Sequence, residues 1–314
     1  MKETNSIEVR NLTKKYGKFT SVDSINFEVK EGEVFGFLGA NGAGKSTTIK
    51  MLCGILEPTS GDASVGGFSV KKEPDKIKRI IGYMSQKFSL YNDLTVNENI
   101  NFFGGMYGLE NSRMDERKKW VIKIANLEGK ENTLAKQLSG GFKQRLALGC
   151  AVIHEPEIVF LDEPTGGVDP ISRRNFWDLI NDLSQRGTTV FVTTHYLDEA
   201  EYCNRIMMIN AGKIIAGGSP KELKTNYLNK TILEIECENV DEAITILDST
   251  GWIDNSAYFG KYIHATISSK ENTGERINDL NKLLNEKGII VKRIDRIMPS
   301  LEDVFVNLLE PKEK

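Results

Sequence analysis

Several residue types are scarce. Among 314 residues there are 4 cysteines, 8 prolines, 3 histidines and 3 tryptophans. The cysteines Cys53, Cys150, Cys203 and Cys237 lie far apart and show no C-x-x-C spacing. They read as buried reduced thiols, which argues against a disulfide scaffold and fits a cytoplasmic protein. No stretch approaches about 18 consecutive apolar residues, so no membrane-spanning helix is expected. The first residues, MKETNSIEVR, lack an apolar core and a small-residue cleavage site, and no secretory signal is read in them. Neither charge sign dominates: the net charge is -3, which disfavours a strongly basic nucleic-acid binder. No internal repeat or low-complexity tract is evident.

What is present is ordinary globular material, 39% hydrophobic and 27% charged. At about 150 residues per domain the length suggests about two domains. IEVRNL and SINFEV alternate apolar and polar residues, with KYGK and KEGE as turns, and read as strands. VFGFLGA, Val34 to Ala40, is a nearly continuous apolar run, as a buried parallel strand requires. TTIKMLCGIL then has helical periodicity and stops at Pro58 and Gly61. From about Leu94 to Gly149 the pattern is helical: Asp93 to Asn99 offers a start signal, and Ser112 to Leu127 places Trp120, Val121, Ile124 and Leu127 on one face. EIVFLDEP and TTVFVTTH return to strand, each followed by a helical pattern, so a largely parallel sheet with helices on both faces is expected. A break falls near Ser219 to Lys230. Beyond it the pattern predicts strands Ile232–Cys237, Tyr258–Ser268 and Ile289–Ile297, helices Val240–Ser249 and Gly274–Lys287, and a short final helix Leu301–Leu309. Acidic residues outnumber basic ones in this last part.

GANGAGKS, Gly39 to Ser46, fits the phosphate-loop pattern G-x-x-x-x-G-K-[ST] and lies between a buried strand and a helix, where the mechanism needs it. Its glycines, Gly39, Gly42 and Gly44, let the backbone turn tightly and aim N–H groups of the Asn41–Ala43 segment at a phosphate. The following helix, which opens at Thr47, adds its positive end. Lys45 can reach the terminal phosphates and Ser46 can ligate Mg²⁺. IVFLDEP, Ile158 to Pro164, is an apolar strand ending in two carboxylates; Asp162 is placed for the Mg²⁺ shell and Glu163 for an attacking water. A strand followed by an acidic helix cap has the same look.

LSGGFKQR, Leu138 to Arg145, resembles the signature motif of ATP-binding-cassette (ABC) ATPases, and further motifs follow the family's order. Gln86 in IGYMSQKFSL stands at the Q-loop position, Asp169 in GGVDP at the D-loop position, His195 in VTTHYLDEAE at the switch histidine, and Tyr16 in LTKKYGK where the family stacks a ring on adenine. The resemblance spans roughly Ile7 to Leu223. It implies an α/β P-loop fold: a mixed, largely parallel core sheet, an N-terminal antiparallel β-subdomain and a helical signature subdomain at about 88–150. Residues 1–225 would form the nucleotide-binding domain and 230–314 a small α+β C-terminal domain, structural or regulatory.

The resemblance also implies ATP and Mg²⁺ as ligands, with Ser46, Gln86 and Asp162 at the metal and Glu163 and His195 as catalytic groups. Ser139, Gly140 and Gly141 would bind the ATP of a second ATPase subunit, an identical or related chain. Phe142 stands where such motifs more often have Met or Gln. Transport would need a separate integral membrane permease, docked near Gln86 to Glu98, a stretch that includes Phe88, Leu90, Tyr91 and Leu94. EPTGGVDPISRRNFW, FSLYNDLTVNENINFFGGMYGL and RIMPSLEDVF are similar to the ATPases of type-2 ABC exporters, above all the drug-efflux branch. The expected place is therefore cytoplasmic, peripheral on the inner face of the cell membrane, with no nucleic-acid partner. The alternative is a soluble ABC ATPase acting on nucleic acid or ribosomes. Such proteins typically carry two cassettes or a long coiled-coil insertion, and this sequence has one phosphate loop and no sustained heptad run.

Overall fold

A computed structural model describes residues 4–87, 89–226, 230–268 and 272–309. The chain divides into two compact units, Met1–Ser219 and Pro220–Lys314. The segment from Pro220 thus groups with the second unit, a few residues before the expected break ends.

In the first unit the alternating N-terminal segments pair as an antiparallel sheet in the order Phe19–Lys30, Asn5–Tyr16, Ser60–Val65, Phe68–Ser69. Gly17, at φ 58, makes the tight turn that pairs Tyr16 with Phe19. The apolar runs form a six-stranded sheet in the order Lys213–Gly218, Arg205–Asn210, Val34–Leu38, Thr189–Thr194, Ile158–Asp162, Ile81–Met84. Only its Lys213–Gly218 edge is antiparallel; the other pairs are parallel. The Val34–Leu38, Ile158–Asp162 and Thr189–Thr194 strands are buried throughout, which is why their sequences do not alternate. Phe27 of the antiparallel sheet stacks on Phe35 at 5.6 Å and lies near Phe37 and Phe191, so both sheets share one core. Gly36 permits this strand to pass close by Cys203: a Cβ there would stand 2.8 Å from the Cys203 Sγ.

The helical subdomain contains Val96–Met106, Asn111–Ile124 and Gly140–Ala151, packed through Val96, Ile100, Val121, Leu127, Leu146 and Cys150. The start signal resolves to Thr95 and Glu98, which form a capping box. The second helix stops at Ile124, short of the expected Leu127, because Asn126 turns left-handed at φ 51. The Leu127 amide then donates back to Ile122 at 2.9 Å, a Schellman closure that still buries Leu127. A helix Pro74–Ile80, not anticipated from the sequence, leads into Ile81–Met84.

The second unit runs β-α-β-β-α-β, with an all-antiparallel sheet in the order Ile253–Phe259, Tyr262–Ser268, Lys230–Cys237, Val291–Ile297. That is the ferredoxin-like arrangement. Helices Val240–Asp248 and Thr273–Glu286 cover one face with Ala243, Leu247, Leu280 and Leu284. The single strand expected over Tyr258–Ser268 is instead a hairpin: Gly260, at φ 60, reverses the chain and pairs Phe259 with Tyr262. The final helix Leu301–Leu309 falls where the sequence placed it. His264 binds it through Nδ1, 2.8 Å from Asp303 Oδ1, with Phe259 stacked on its ring.

His154 lies between the helical subdomain and the core strands. Its ring stacks on Tyr107 with centroids 3.6 Å apart, and Nε2 is 3.1 Å from the Ile81 carbonyl. Burial, helped by the Arg117 charge, lowers its pKa from 6.5 to about 4. The folded chain thus keeps this ring neutral where the unfolded chain protonates it. The contribution of His154 to stability should fall as pH drops from 6.5 to about 4 and level off below. The stability difference between wild type and His154→Gln, measured by denaturant unfolding, should narrow across that interval.

Candidate active site

The phosphate-loop segment links Val34–Leu38 to the helix Lys45–Leu52. Its glycines are required by space and by torsion. A Cβ at Gly39 would lie 2.3 Å from the Ile209 carbonyl oxygen; Gly44, at φ 110, would meet the Ser21 carbonyl at 2.6 Å. Gly42 is also left-handed, at φ 81, and sits with Asn41 at the exposed crest of the loop. The Ala43 amide donates to Ala40 at 3.1 Å, and its carbonyl accepts from Gly212 at 3.0 Å. Thr47 Oγ1 is 3.0 Å from Ser21 Oγ, which ties the helix to the antiparallel sheet.

Lys45 is buried, and its ammonium donates to the carbonyls of Gly39 at 2.8 Å and Ala40 at 3.1 Å. It also lies 3.0 Å from Glu163 Oε1. The other Glu163 oxygen accepts from Gln86 Nε2 at 2.9 Å and is 3.3 Å from His195 Nδ1. Glu163 itself sits at φ 48, an uncommon conformation for a side-chain-bearing residue that is frequent at functional sites. Its amide is held by Thr193, 3.0 Å from the hydroxyl. That hydroxyl donates in turn to Asp162 Oδ1 at 2.7 Å, and Ser46 Oγ donates to the same oxygen at 3.0 Å.

Six of the expected residues are therefore gathered: Lys45, Ser46, Gln86, Asp162, Glu163 and His195. Within that set Gln86 reaches the centre through Glu163, the chain neighbour of Asp162. Its amide lies on Glu163, because an NH₂ group finds its strongest acceptor in a carboxylate. The Ser46–Asp162 pair offers hard oxygen donors, the chemistry that suits Mg²⁺. Among the described residues no group of three or more His, Cys, Asp or Glu forms a metal cluster.

A second set forms elsewhere in the same unit. Ser139 stands at the start of the helix Gly140–Ala151, whose first turn no side chain caps. Gly141 lets that helix meet Ser172, whose Oγ would be 2.5 Å from an added Cβ. Asp169 caps the adjacent helix Pro170–Gln185, accepting from the Ser172 amide at 2.9 Å, and those bonds hold its carboxyl below the usual range. Gly140 has open space around it. Phe142 lies between Lys130, at 4.9 Å from the ring, and Arg145, at 4.6 Å. Tyr16 projects from the antiparallel sheet, half exposed, with Lys14 above its ring. In the expected docking stretch Phe88 lies outside the described residues. Tyr91 is exposed there and meets the Phe102 ring at 4.5 Å.

Thr193 and Gln144 were not singled out in the sequence. Thr193 joins the two carboxylates, and buried Gln144 donates to the Pro164 carbonyl beside Glu163. The only sequence trace of Thr193 is the threonine pair before His195.

Residues 22–166 match the family described as ABC transporter, and residues 218–309 match the C-terminal domain of DrrA1-3-like ATP-binding proteins. A linearmycin resistance ATP-binding protein of Bacillus subtilis is 35% identical over 96% of this chain and 97% of its own length. The chain belongs to the ABC transporter family. It is also 52% identical, over 71% of its length, to a probable multidrug ABC transporter ATP-binding protein of Escherichia coli, but spans only 39% of that relative. A solved structure of an ABC transporter ATP-binding subunit matches 70% of this chain and 92% of its own, with TM-score 0.64 and 29% identity. The structure of cbiO1 of Clostridium perfringens, part of the ABC transporter complex cbiONQ, matches at TM-score 0.65 and 28% identity over 70% of this chain and 91% of its own. The fold is that of an ABC ATPase cassette with a smaller C-terminal unit.

The close approach at Gly39 gives a test of the loop's packing. Gly39→Ala should destabilise the chain by about 1–3 kcal/mol, as overpacking against a fixed carbonyl does. Gly140→Ala, with open space, should stay within about 0.5 kcal/mol of wild type. Denaturant unfolding of both variants checks the contrast.

Proposed function

We propose that this chain is the ATP-hydrolysing subunit of an ABC exporter, working as a pair of subunits on a separate membrane permease. The observation that carries the reading is the convergence on Glu163, where Lys45, Gln86 and His195 meet one carboxylate beside the Ser46–Asp162 pair.

In this reading the loop amides from Asn41 to Thr47 and the end of helix Lys45–Leu52 bind the phosphates of ATP, as helix N-termini bind anions. Lys45 turns its ammonium from the Gly39 and Ala40 carbonyls toward the terminal phosphates. Ser46 and Asp162 would hold Mg²⁺, which would supply positive charge against the phosphate oxygens. Glu163 orients the attacking water and accepts its proton, and His195 holds the carboxylate and the terminal phosphate in line. Gln86, poised on Glu163, senses the same centre and can complete the metal shell by turning its carbonyl oxygen inward. Tyr16 stacks on the adenine.

Ser139, Gly140, Gly141 and Asp169 form a second anion site that serves the ATP of the partner subunit. A twofold pair completes both sites with one chain type or with a related one. Among the described residues no helix is long and apolar enough to cross a membrane, which supports a separate permease. The exposed Tyr91 and Phe102 suit its docking. Export is favoured because relatives bear names of multidrug, linearmycin-resistance and Nod-factor export systems. The subunit would then lie on the inner face of the cell membrane. The nucleotide-binding domain is assigned to 1–225, and the part from 230 to 314 is read as structural or regulatory.

Glu163→Gln keeps the shape and removes the proton acceptor. It should bind ATP within about twofold of wild type and lose at least about 100-fold in turnover, the scale of a missing general base. Steady-state phosphate release together with equilibrium ATP binding checks this. A folded variant that hydrolyses at the wild-type rate removes Glu163 from the mechanism.

A further inference from the structure

Glu199 lies in the short turn Glu199–Tyr202 that follows strand Thr189–Thr194, and its side chain is 1% exposed. A carboxylate in such a place is costly unless it is fully partnered. Its partners come from three separate segments. The Thr165 hydroxyl donates to Oε1, the Thr194 hydroxyl donates to Oε2 at 2.8 Å, and Arg173 Nε stands 3.3 Å from Oε1.

Each partner adjoins a group of the proposed reaction. Thr165 is two residues beyond Glu163, in a turn closed by the Gly166 amide on the Glu163 carbonyl at 3.3 Å. Thr194 immediately precedes His195. Arg173 sits in the first turn of helix Pro170–Gln185, its amide bonded to the Asp169 carbonyl at 2.9 Å. The Arg173 guanidinium also covers the Tyr196 ring at 4.3 Å, and that ring lies 4.1 Å from His195. The neighbour of Arg173, Ser172, is the residue packed against Gly141.

We infer that Glu199 is a positioning residue for ATP hydrolysis, tying the Glu163 turn and the His195 strand end to the helix Pro170–Gln185. Resting on the ATPase reading above, this deepens it: a shift of that helix, which touches the second anion set, moves Glu163 and His195 together. Arg173 is the part of the tie that reports the helix. A carboxylate accepts both hydroxyls and at the same time pairs in charge with the guanidinium, whereas a neutral amide in its place loses the ion pair and one acceptor.

The test compares wild type, Arg173→Met, Glu199→Gln and the double variant of the full chain. Steady-state ATP hydrolysis, equilibrium binding of a fluorescent ATP analogue and thermal unfolding are measured for each. Arg173→Met and Glu199→Gln should each lower kcat by about tenfold or more with KM within about twofold, since misplacing reacting groups costs turnover rather than binding. The double variant should be no worse than the poorer single, because both break one tie. The Arg173 side chain is 20% exposed, so Arg173→Met carries the test even if Glu199→Gln does not fold. Wild-type kcat in folded Arg173→Met overturns the inference, as does a loss that tracks lowered melting temperature with KM raised in step. A wild-type chain that binds nucleotide without hydrolysing it overturns instead the ATPase reading, and this assignment with it.

Discussion

The register of the parallel sheet is the constraint on which the site depends. Leu38 pairs with Thr194, and Thr193 with Asp162, so three strands end at one level. At that level the chain turns into the phosphate loop after Leu38, into the acidic pair at Asp162, and toward His195 after Thr194. A slip of one residue in either pairing would carry Asp162 or Thr193 to the other side of the sheet. The Ser46–Asp162 bond would then have no geometry. The largely apolar strand sequences, buried on both faces, resist such a slip through packing, and the clustered Phe27, Phe35, Phe37 and Phe191 supply it. Function at the strand ends thus rests on aromatic packing two to four residues away.

Within that frame the electrostatics are closely balanced. Glu163 and Lys45 are both nearly buried, with side chains 9% and 4% exposed, and each is the other's counter-ion. Removing one partner of such a pair costs about 3–5 kcal/mol, because the remaining charge is stranded. Lys45 spreads its ammonium over two loop carbonyls as well, so it holds the loop from inside. The same residue can serve a phosphate because those carbonyls are weaker partners than a phosphate oxygen. The positive φ of Glu163 is a further cost of about 1–3 kcal/mol, accepted where the amide is caught between the hydroxyl and carbonyl of Thr193.

How far the sequence displayed this depended on the range of each interaction. The phosphate loop and the Asp162–Glu163 pair were legible because their signals are local: glycines at fixed spacing and an apolar run ending in carboxylates. The final helix Leu301–Leu309 was legible through its start signal. Gln86 and His195 could be placed only through the family resemblance, since a lone glutamine or histidine carries no local signal. The resemblance implies a metal role for Gln86, and its amide is bonded to the Glu163 carboxylate. The expected strand Tyr258–Ser268 runs through the turn at Gly260 and leaves out Ile253–Ala257, although a glycine followed by lysine between aromatic residues marks that turn. Thr193 and Glu199 could not be read at all, because their importance comes from pairings between strands and turns distant in sequence.

Helix starts in the cassette differ in a way that bears on how the two sets of residues cooperate. Val96–Met106 begins with a capping box and Pro170–Gln185 with Asp169, so side chains already satisfy their first amides. Gly140–Ala151 begins at Ser139 with no side-chain cap, and Ser139 and Gly140 are small and exposed. Uncapped amides at the positive end of a helix favour an external anion. In the proposed pair that anion is a phosphate held by another subunit, so its arrival pulls on the helix Gly140–Ala151. Gly141 abuts Ser172, and Ser172 adjoins Arg173, whose guanidinium reaches Glu199 and the His195–Tyr196 rings. Every step of that path is a contact between packed or hydrogen-bonded groups. The first step has little room to yield: a Cβ on Gly141 would stand 2.5 Å from the Ser172 Oγ. A close-packed interior transmits a displacement of the helix rather than absorbing it. The partner's nucleotide would therefore be felt at Glu163 through the protein interior, with Glu199 as the last buried charge on the way.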